Sequence, residues 1–175
     1  MLATNSTTSF TSNTASSYDT KSNVYSFGNY YNWYSATAGN GTYSIADNQS
    51  VTGSICPSGW KLPTGGNVSN KANSDFWKLS VDAIGAEPSN SNYYEGAEGT
   101  TDSKAMRAYP NIFICSGDVG GSSLDNRDLY GNYWASTATS MYYTYDFVLN
   151  DDYVYPGSIF SIKNFGISAR CLANI

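Results

Sequence analysis

The C-terminal half of the chain consists of short aromatic segments separated by Gly- and Asn-bearing turns, and this pattern constrains the fold more than any other feature. Strand-like composition marks the segments at 111–117 (NIFICSG), 131–137 (GNYWAST), 140–152 (SMYYTYDFVLNDD) and 164–172 (NFGISARCL). Alternate residues of a strand share one face. The alternating residues are Tyr143, Tyr145, Phe147 and Leu149 in the third segment and Phe165, Ile167, Ala169 and Cys171 in the fourth. The pattern predicts an antiparallel sheet.

Upstream of these strands, one helix is predicted at 74–85 (SDFWKLSVDAIG), with Ser74 as its N-cap and Gly85 as its C-terminal stop. Its apolar positions near helical spacing are Phe76, Trp77, Val81 and Ile84. A fixed turn and a short strand are expected at 56–64 (CPSGWKLPT), and a long irregular loop at 86–104. The fold class is therefore predicted as α+β, with mixed, mostly antiparallel sheets, one or two helices and much irregular loop.

The N-terminal stretch differs from the rest of the chain. Residues 3–23 form a polar Ser/Thr/Asn tract with almost nothing to bury, which is typical of a tether or of a frayed terminus. We therefore expect a flexible polar tether at 1–23 and one ligand-binding domain at 24–175. A chain of 175 residues with 41% hydrophobic content suffices for one sizeable core.

The charge pattern argues against two classes of partner. The net charge is −5, and the Lys and Arg residues form no cluster. Because phosphate neutralisation requires grouped cations, no nucleic-acid partner is expected. No stretch approaches the roughly 18 apolar residues that span a bilayer, and the N-terminus lacks the pattern of a signal peptide, so no direct membrane insertion is expected.

Three cysteines, Cys56, Cys115 and Cys171, are too few for a disulfide scaffold, and the chain has no His to complete a zinc site. One bridge plus one buried thiol is the simplest interpretation. Pairing of Cys56 with Cys171 closes a loop long enough to stabilise the fold by about 4–5 kcal/mol in the chain-entropy model. A bridge would favour an oxidising compartment, and hence an extracellular or cell-surface location.

The order of the motifs CPSGWKLPT, an aromatic helix, SG, GNYWAST and FGISARC resembles the Fibrobacter succinogenes major paralogous domain family. This family has a C-type-lectin-like fold related to that of formylglycine-generating enzymes. The resemblance covers roughly residues 30–173. It places Cys56 and Cys171 in scaffold motifs, so these two are the expected disulfide pair and Cys115 is left without a partner.

Members of this fold include the variable proteins of diversity-generating retroelements, in which adenine-directed mutagenesis changes the residues displayed between the last two motifs. The corresponding segment here is 141–164. Between Tyr142 and Ile162 it lacks Trp, Gln, Met, Lys and Glu, which randomising the first two bases of an AAC codon cannot produce. The resemblance implies a prokaryotic, non-catalytic protein whose hypervariable C-terminal surface binds a protein or glycan on another cell, virus or surface. The alternatives are an invariant cell-surface adhesion or structural module and a formylglycine-generating-type enzyme.

The composition of this segment favours a contact role on physical grounds as well. Tyr supplies a large contact area at low entropic cost, and Asn, Asp and Ser adapt their hydrogen bonds, as in antibody paratopes. The predicted ligand-binding residues are Asp128, Asn132, Tyr142, Tyr143, Tyr145, Asp146, Asn150, Asp151, Asp152, Tyr153, Tyr155, Ser158, Phe160 and Asn164. In the alternative interpretation, alternate tyrosines pack into the sheet and the acidic residues cap turns.

Catalysis and metal binding are both disfavoured. Without His, a Ser-His or Cys-His nucleophile is impossible, and nothing marks two carboxylates as a glycosidase pair. Asp146, Asp151 and Asp152 could together hold Ca²⁺, but adjacent Asp residues point to opposite sides of a strand, which favours turn residues. The displaced EPS at 87–89, with no WND, argues against calcium-dependent sugar binding. No catalytic residue, metal or cofactor is expected.

Overall fold

The computed structural model describes residues 17–18, 29–45, 47–67, 69–88, 100–121 and 123–174. These residues form a mixed α+β structure with three α-helices and mostly antiparallel strand pairs, so the predicted class is confirmed at that level. No described helix has the length and apolar character needed to cross a membrane.

In chain order, the elements are β1 (Ser17–Tyr18), β2 (Tyr30–Tyr31), α1 (Trp33–Ala36), β3 (Trp60–Lys61), a 3-10 turn (Lys71–Asn73), α2 (Asp75–Ile84), α3 (Thr100–Arg107), β4 (Asp118–Gly120), β5 (Ser123–Asp125), β6 (Gly131–Ala138), β7 (Tyr143–Leu149), β8 (Val154–Ile162) and β9 (Leu172–Ala173). The strands β6, β7 and β8 form an antiparallel meander in that order. The remaining strands pair antiparallel in twos, as β1 with β2, β3 with β9, and β4 with β5.

Helix α2 begins and ends where the sequence predicts. The Ser74 hydroxyl accepts a hydrogen bond from the backbone N of Trp77 at 3.2 Å, and Gly85 ends the helix in the left-handed conformation at φ 80°. The loop expected at 86–104 is partly wrong, because α3 begins at Thr100; residues 89–99 lie outside the described part. Met106 of α3 is fully buried, so packing of this helix onto the core outweighs its weak sequence signal.

Two of the predicted strands differ from the expectation. Residues 111–117 are not a strand: the Tyr133 hydroxyl donates to the backbone O of Ile114 and accepts from its N, both at 2.8 Å, and so replaces a partner strand. Residues 164–172 contribute isolated bridges and the start of β9. The strand β8, absent from the prediction, pairs along β7 instead.

The meander lies between two hydrophobic clusters, one on each face. On one face, the β7 side chains of Tyr145, Phe147 and Leu149 pack with residues of α2, α3 and the 113–115 segment. On the other face, Trp134 and Ala138 of β6 pack with α1 and the C-terminal segment. All of β6 and all of β7 except Tyr143 are consequently buried.

A disulfide and a strand pairing attach the two ends of the domain to this core. Cys56 and Cys171 are joined in a disulfide with a Cα–Cα distance of 5.7 Å, and Cys115 is a buried free thiol. At the N-terminus, Ser17 and Tyr18 pair with β2, so this part of the predicted tether is attached to the domain. Residues 1–16 and 19–23 of that prediction lie outside the described residues.

Candidate contact surface

The structure does not bring the predicted ligand-binding residues together on one surface. The exposed ones are Asp128, Tyr142, Tyr143, Asp151 and Asp152; the half-buried ones are Asn150, Tyr153 and Asn164; the buried ones are Asn132, Tyr145, Asp146 and Tyr155. Ser158 and Phe160 lie on β8, and their side chains are outside the described part.

The buried members correct the prediction. The Tyr145 hydroxyl donates to the Asn48 side-chain oxygen at 2.8 Å, and the Asp146 carboxylate accepts from the Ser161 hydroxyl at 2.7 Å. Because the meander is covered on both faces, alternation cannot free either parity of β7 for contact. Asn132, Tyr145, Asp146 and Tyr155 are therefore removed from the contact surface and assigned to the interior.

The remaining exposed residues gather at opposite ends of β7. The strand has seven residues, so its ends lie on the order of 20 Å apart. We call one end the tyrosine tip (Met141, Tyr142 and Tyr143, with Tyr43 and Asp47) and the other the aspartate tip (Asn150 to Tyr153, with Asp128). A ligand contacting both ends would have to span the whole meander.

The tyrosine tip is a tight turn with outward side chains. The Ser140 hydroxyl oxygen accepts hydrogen bonds from the backbone N of Tyr142 at 3.2 Å and of Tyr143 at 3.1 Å. The backbone O of Tyr143 accepts from the N of Thr139 at 3.0 Å. Met141, Tyr142 and Tyr143 are nevertheless 44, 54 and 39% exposed. The backbone is held while three consecutive large side chains face solvent.

Tyr43 extends this surface from a distant part of the sequence. Its ring meets that of Tyr142 edge to face, with the centroids 5.3 Å apart. A side-chain hydrogen bond with Tyr142 raises the pKa of Tyr43 to about 12. Sequence reasoning missed Tyr43, because nothing in its local pattern separates it from the other tyrosines.

Lys163 lies beneath the tyrosine tip and contacts both segments that form it, at Thr42 and at Tyr142. Its side chain is only 1% exposed, its Nζ donates to the backbone O of Thr42 at 3.4 Å, and it lies 4.7 Å from the centroid of the Trp33 ring. Its backbone N donates to the O of Tyr142 at 2.9 Å. Burial lowers the pKa of Lys163 from 10.5 to about 8, with the charge of Asp47 acting in the opposite direction. Among the described residues, no carboxylate forms an ion pair with it.

The polar side chains of the aspartate tip bind the backbone of the turn and the neighbouring helix α3. The Asn150 side-chain oxygen accepts from the backbone N of Asp152 at 2.9 Å and of Tyr153 at 2.8 Å. Asp151 forms an ion pair with Arg107 of α3. No group of three or more acidic, Cys or His side chains in the described ranges is placed to hold a metal ion. These contacts support the turn-residue interpretation of Asp151 and Asp152.

Cys115 lies behind the aspartate tip, where the backbone N of Asp128 donates to its O at 2.9 Å. Burial raises the pKa of its thiol, the charges of Asp151 and Asp128 act in the same direction, and Arg107 opposes them. A nucleophilic cysteine requires the reverse, a lowered pKa in a partly exposed site. The thiol therefore has the properties of a core residue.

A shallow open groove of about 540 Å³ lies on α2, away from both tips. Trp77 and Val81 line it, together with an ion pair of 2.8 Å between Lys71 and Glu87. It contains none of the predicted ligand-binding residues, and the adjoining residues 89–99 lie outside the described part. The groove therefore carries no functional assignment.

Comparison of the chain with protein-family models, with curated proteins and with solved structures finds no match. No activity or binding role is thus carried over from a relative. Function has to be inferred from the residues and their geometry.

Proposed function

We propose that this chain is a non-catalytic ligand-binding protein with a C-type-lectin-like fold, which displays a variable C-terminal surface as the variable protein of a diversity-generating retroelement. Its ligand is a protein or glycan on another cell, virus or surface, and the protein acts outside the cell or at the cell surface. The observation that carries the proposal is the tyrosine tip, where three consecutive large side chains are exposed on a meander buried on both faces.

This arrangement separates the scaffold from the contact residues. The neighbours Thr144 and Tyr145 are 0 and 2% exposed, whereas Tyr142 is 54% exposed. Substitution of an exposed side chain usually changes stability by less than about 0.5 kcal/mol, whereas a buried aromatic costs several times more. The tip can therefore change in sequence without loss of the fold, as a diversified surface requires.

The lectin-like fold is supported by how the quoted motifs meet. The CPSGWKLPT and FGISARC motifs, distant in sequence, are joined by the Cys56–Cys171 disulfide, and β3 of the first motif pairs with β9, which directly follows the second. The GNYWAST motif forms β6, and Trp134 within it packs with Ile167 of the last motif. Three of the motifs on which the resemblance rests thus share one hydrophobic cluster.

The non-catalytic role is supported by the state of the possible nucleophiles. The chain contains no His. Cys56 and Cys171 are bonded to each other, and Cys115 is buried with a raised pKa. A formylglycine-generating-type reaction needs a reactive cysteine pair, so this alternative is disfavoured.

One observation favours the second candidate, an invariant adhesion module of the same fold. At the aspartate tip, Asn150 and Asp151 hold the hairpin and α3 in place, so their replacement costs stability. If the whole 141–164 segment were variable, these positions would be varied as well. An invariant protein would keep both tips unchanged.

The DNA beside the gene and the gene's sequence in a population of cells distinguish the two candidates. Our proposal predicts a neighbouring reverse transcriptase gene and a near-copy of the 3′ coding segment that differs at adenines. Amplicon sequencing should find substitutions at codons 142 and 143, while the codons of Tyr145 and Phe147 serve as the internal control and stay constant. Invariant codons without a near-copy would establish the adhesion module.

A further inference from the structure

We propose that the tyrosine tip binds a Lys- or Arg-rich segment of a partner protein. This inference rests on the proposed function, because it names the partner chemistry of the same surface. It depends on three properties of the tip, which are the available aromatic rings, the sign of its exposed charge and the burial of its cation.

The aromatic rings of the tip are available to a cation. In the described part of the chain, Tyr43 and Tyr142 contact each other, and neither of them nor Tyr143 takes part in a cation–π contact or a salt bridge. Tyr142 meets its neighbour edge to face, which leaves ring surface open to solvent. The face of an aromatic ring carries negative potential and attracts Lys and Arg side chains.

The exposed charge beside the rings is negative. Asp47 is exposed, and the backbone N of its neighbour Asn48 donates to the O of Ala138 at 2.7 Å, at the end of β6 from which the tip emerges. It forms no salt bridge with a described residue. The chain as a whole carries a net charge of −5, so the long-range field also favours the approach of a cationic partner.

Lys163 is the cation that could have repelled such a partner, but it is directed inward. Its Nζ lies against the Trp33 ring and the backbone O of Thr42, and its side chain is 1% exposed. The three salt bridges among the described residues engage Lys61, Lys71 and Arg107 away from the tip. Among the described residues, the tip therefore offers aromatic faces and a carboxylate but no exposed ammonium, which disfavours anionic ligands.

The test uses a fluorescently labelled octapeptide of alternating Arg and Ser, whose binding to the full chain is followed by fluorescence anisotropy. Matched octapeptides of Gln and Ser, and of Asp and Ser, are the ligand controls. Y142L keeps apolar area but removes the ring, and D47N removes the charge. Y109L is the protein control, because Tyr109 is 88% exposed and lies outside both tips.

We expect the Arg peptide to bind more tightly than the Gln peptide and the Asp peptide not to bind. Y142L and D47N should each weaken binding about 2–5-fold, Y109L should not change it, and binding should weaken as salt increases. Thermal unfolding of each variant checks that the fold is intact. Absence of binding by the Arg peptide, equal binding of the Gln peptide, or equal effects of Y142L and Y109L would overturn the inference. Variation at codons 142 and 143 would still support the display function in that case.

Discussion

The two tips at the ends of β7 differ in what their side chains do. Those of the aspartate tip stabilise the fold, whereas those of the tyrosine tip are left exposed. At the aspartate tip, the Asn150 side chain holds the backbone of the turn, and Asp151 is bound to Arg107 of α3. At the tyrosine tip, the Ser140 hydroxyl holds the turn, and the side chains of Tyr142 and Tyr143 face solvent. At the aspartate tip, the residues that maintain the turn are themselves predicted contact residues. At the tyrosine tip, they are not.

This difference decides which part of the predicted surface suits recognition. A side chain that holds the backbone cannot be replaced freely, and one already bound to a neighbour must break that contact to bind a ligand. At the tyrosine tip, the side chains of Tyr142 and Tyr143 do not hold the backbone, and the ring of Tyr142 contacts only Tyr43, which belongs to the same surface. Composition alone favoured both ends equally, since Tyr, Asn and Asp are all typical of paratopes.

The largest expected effect concerns the base that both tips share. Phe147 is fully buried and stacks on Phe76 with the ring centroids 5.1 Å apart. Phe147→Ala should lower the free energy of unfolding by about 3–5 kcal/mol, measured by urea denaturation. Amide exchange should accelerate at both tips, at the backbone N of Lys163 and of Asn150. Acceleration at one tip alone would show that the meander is not a common base, and Leu129→Ala, at a 62% exposed position, is the control.

A smaller effect on stability, which depends on pH, distinguishes the cation beneath the tyrosine tip from the cation at the aspartate tip. Lys163 is buried with a pKa lowered to about 8, whereas Arg107 at the aspartate tip is exposed and paired. Between pH 8 and its ordinary pKa of 10.5, Lys163 binds a proton in the unfolded chain but not in the folded one. Lys163 should therefore contribute an increase in the free energy of unfolding with pH in this window, of about 2 kcal/mol up to pH 10.

Lys163→Met should abolish this increase, as measured by denaturation at a series of pH values. Raised pKa values act in the opposite direction in the upper part of this window, at the Cys115 thiol, whose ordinary pKa is 9.0, and at four tyrosines (Tyr34, Tyr43, Tyr133 and Tyr155). The difference between the native chain and Lys163→Met therefore isolates the lysine. Arg107→Met serves as the matched comparison and should retain the increase that Lys163 contributes. The same increase with pH in Lys163→Met would assign it to another group.

The smallest effects compare the tips directly. Asn150→Ala removes the acceptor of two backbone hydrogen bonds and should lower the free energy of unfolding by about 1–2 kcal/mol. Tyr142→Ser removes an exposed ring with one aromatic contact and should cost about 0.5 kcal/mol. Denaturation of both variants under one condition checks the order. Equal losses would mean that the side chains of the two tips contribute equally to the stability of the fold.

Local signals predicted the elements that depend on short-range contacts. Helix α2 was predicted because Ser74 and Gly85 act within one turn of its ends, and β6 and β7 were predicted from their aromatic composition and alternation. The helix α3 was missed, since its one deeply buried apolar residue, Met106, does not form a periodic pattern. The 111–117 segment was wrongly predicted as a strand, because no local pattern reveals that the Tyr133 hydroxyl occupies the backbone groups of Ile114.

For the site, the sequence by itself determined the candidate residue types and the segment that contains them, as well as the absence of His. Only the tertiary structure decided which candidates are accessible. A layer on each face of the meander buries Tyr145 and Asp146, which alternation alone had placed on opposite faces. The tertiary structure also brings Tyr43 and Lys163 to Tyr142, because contacts between residues so far apart in sequence are set by packing rather than by neighbouring side chains.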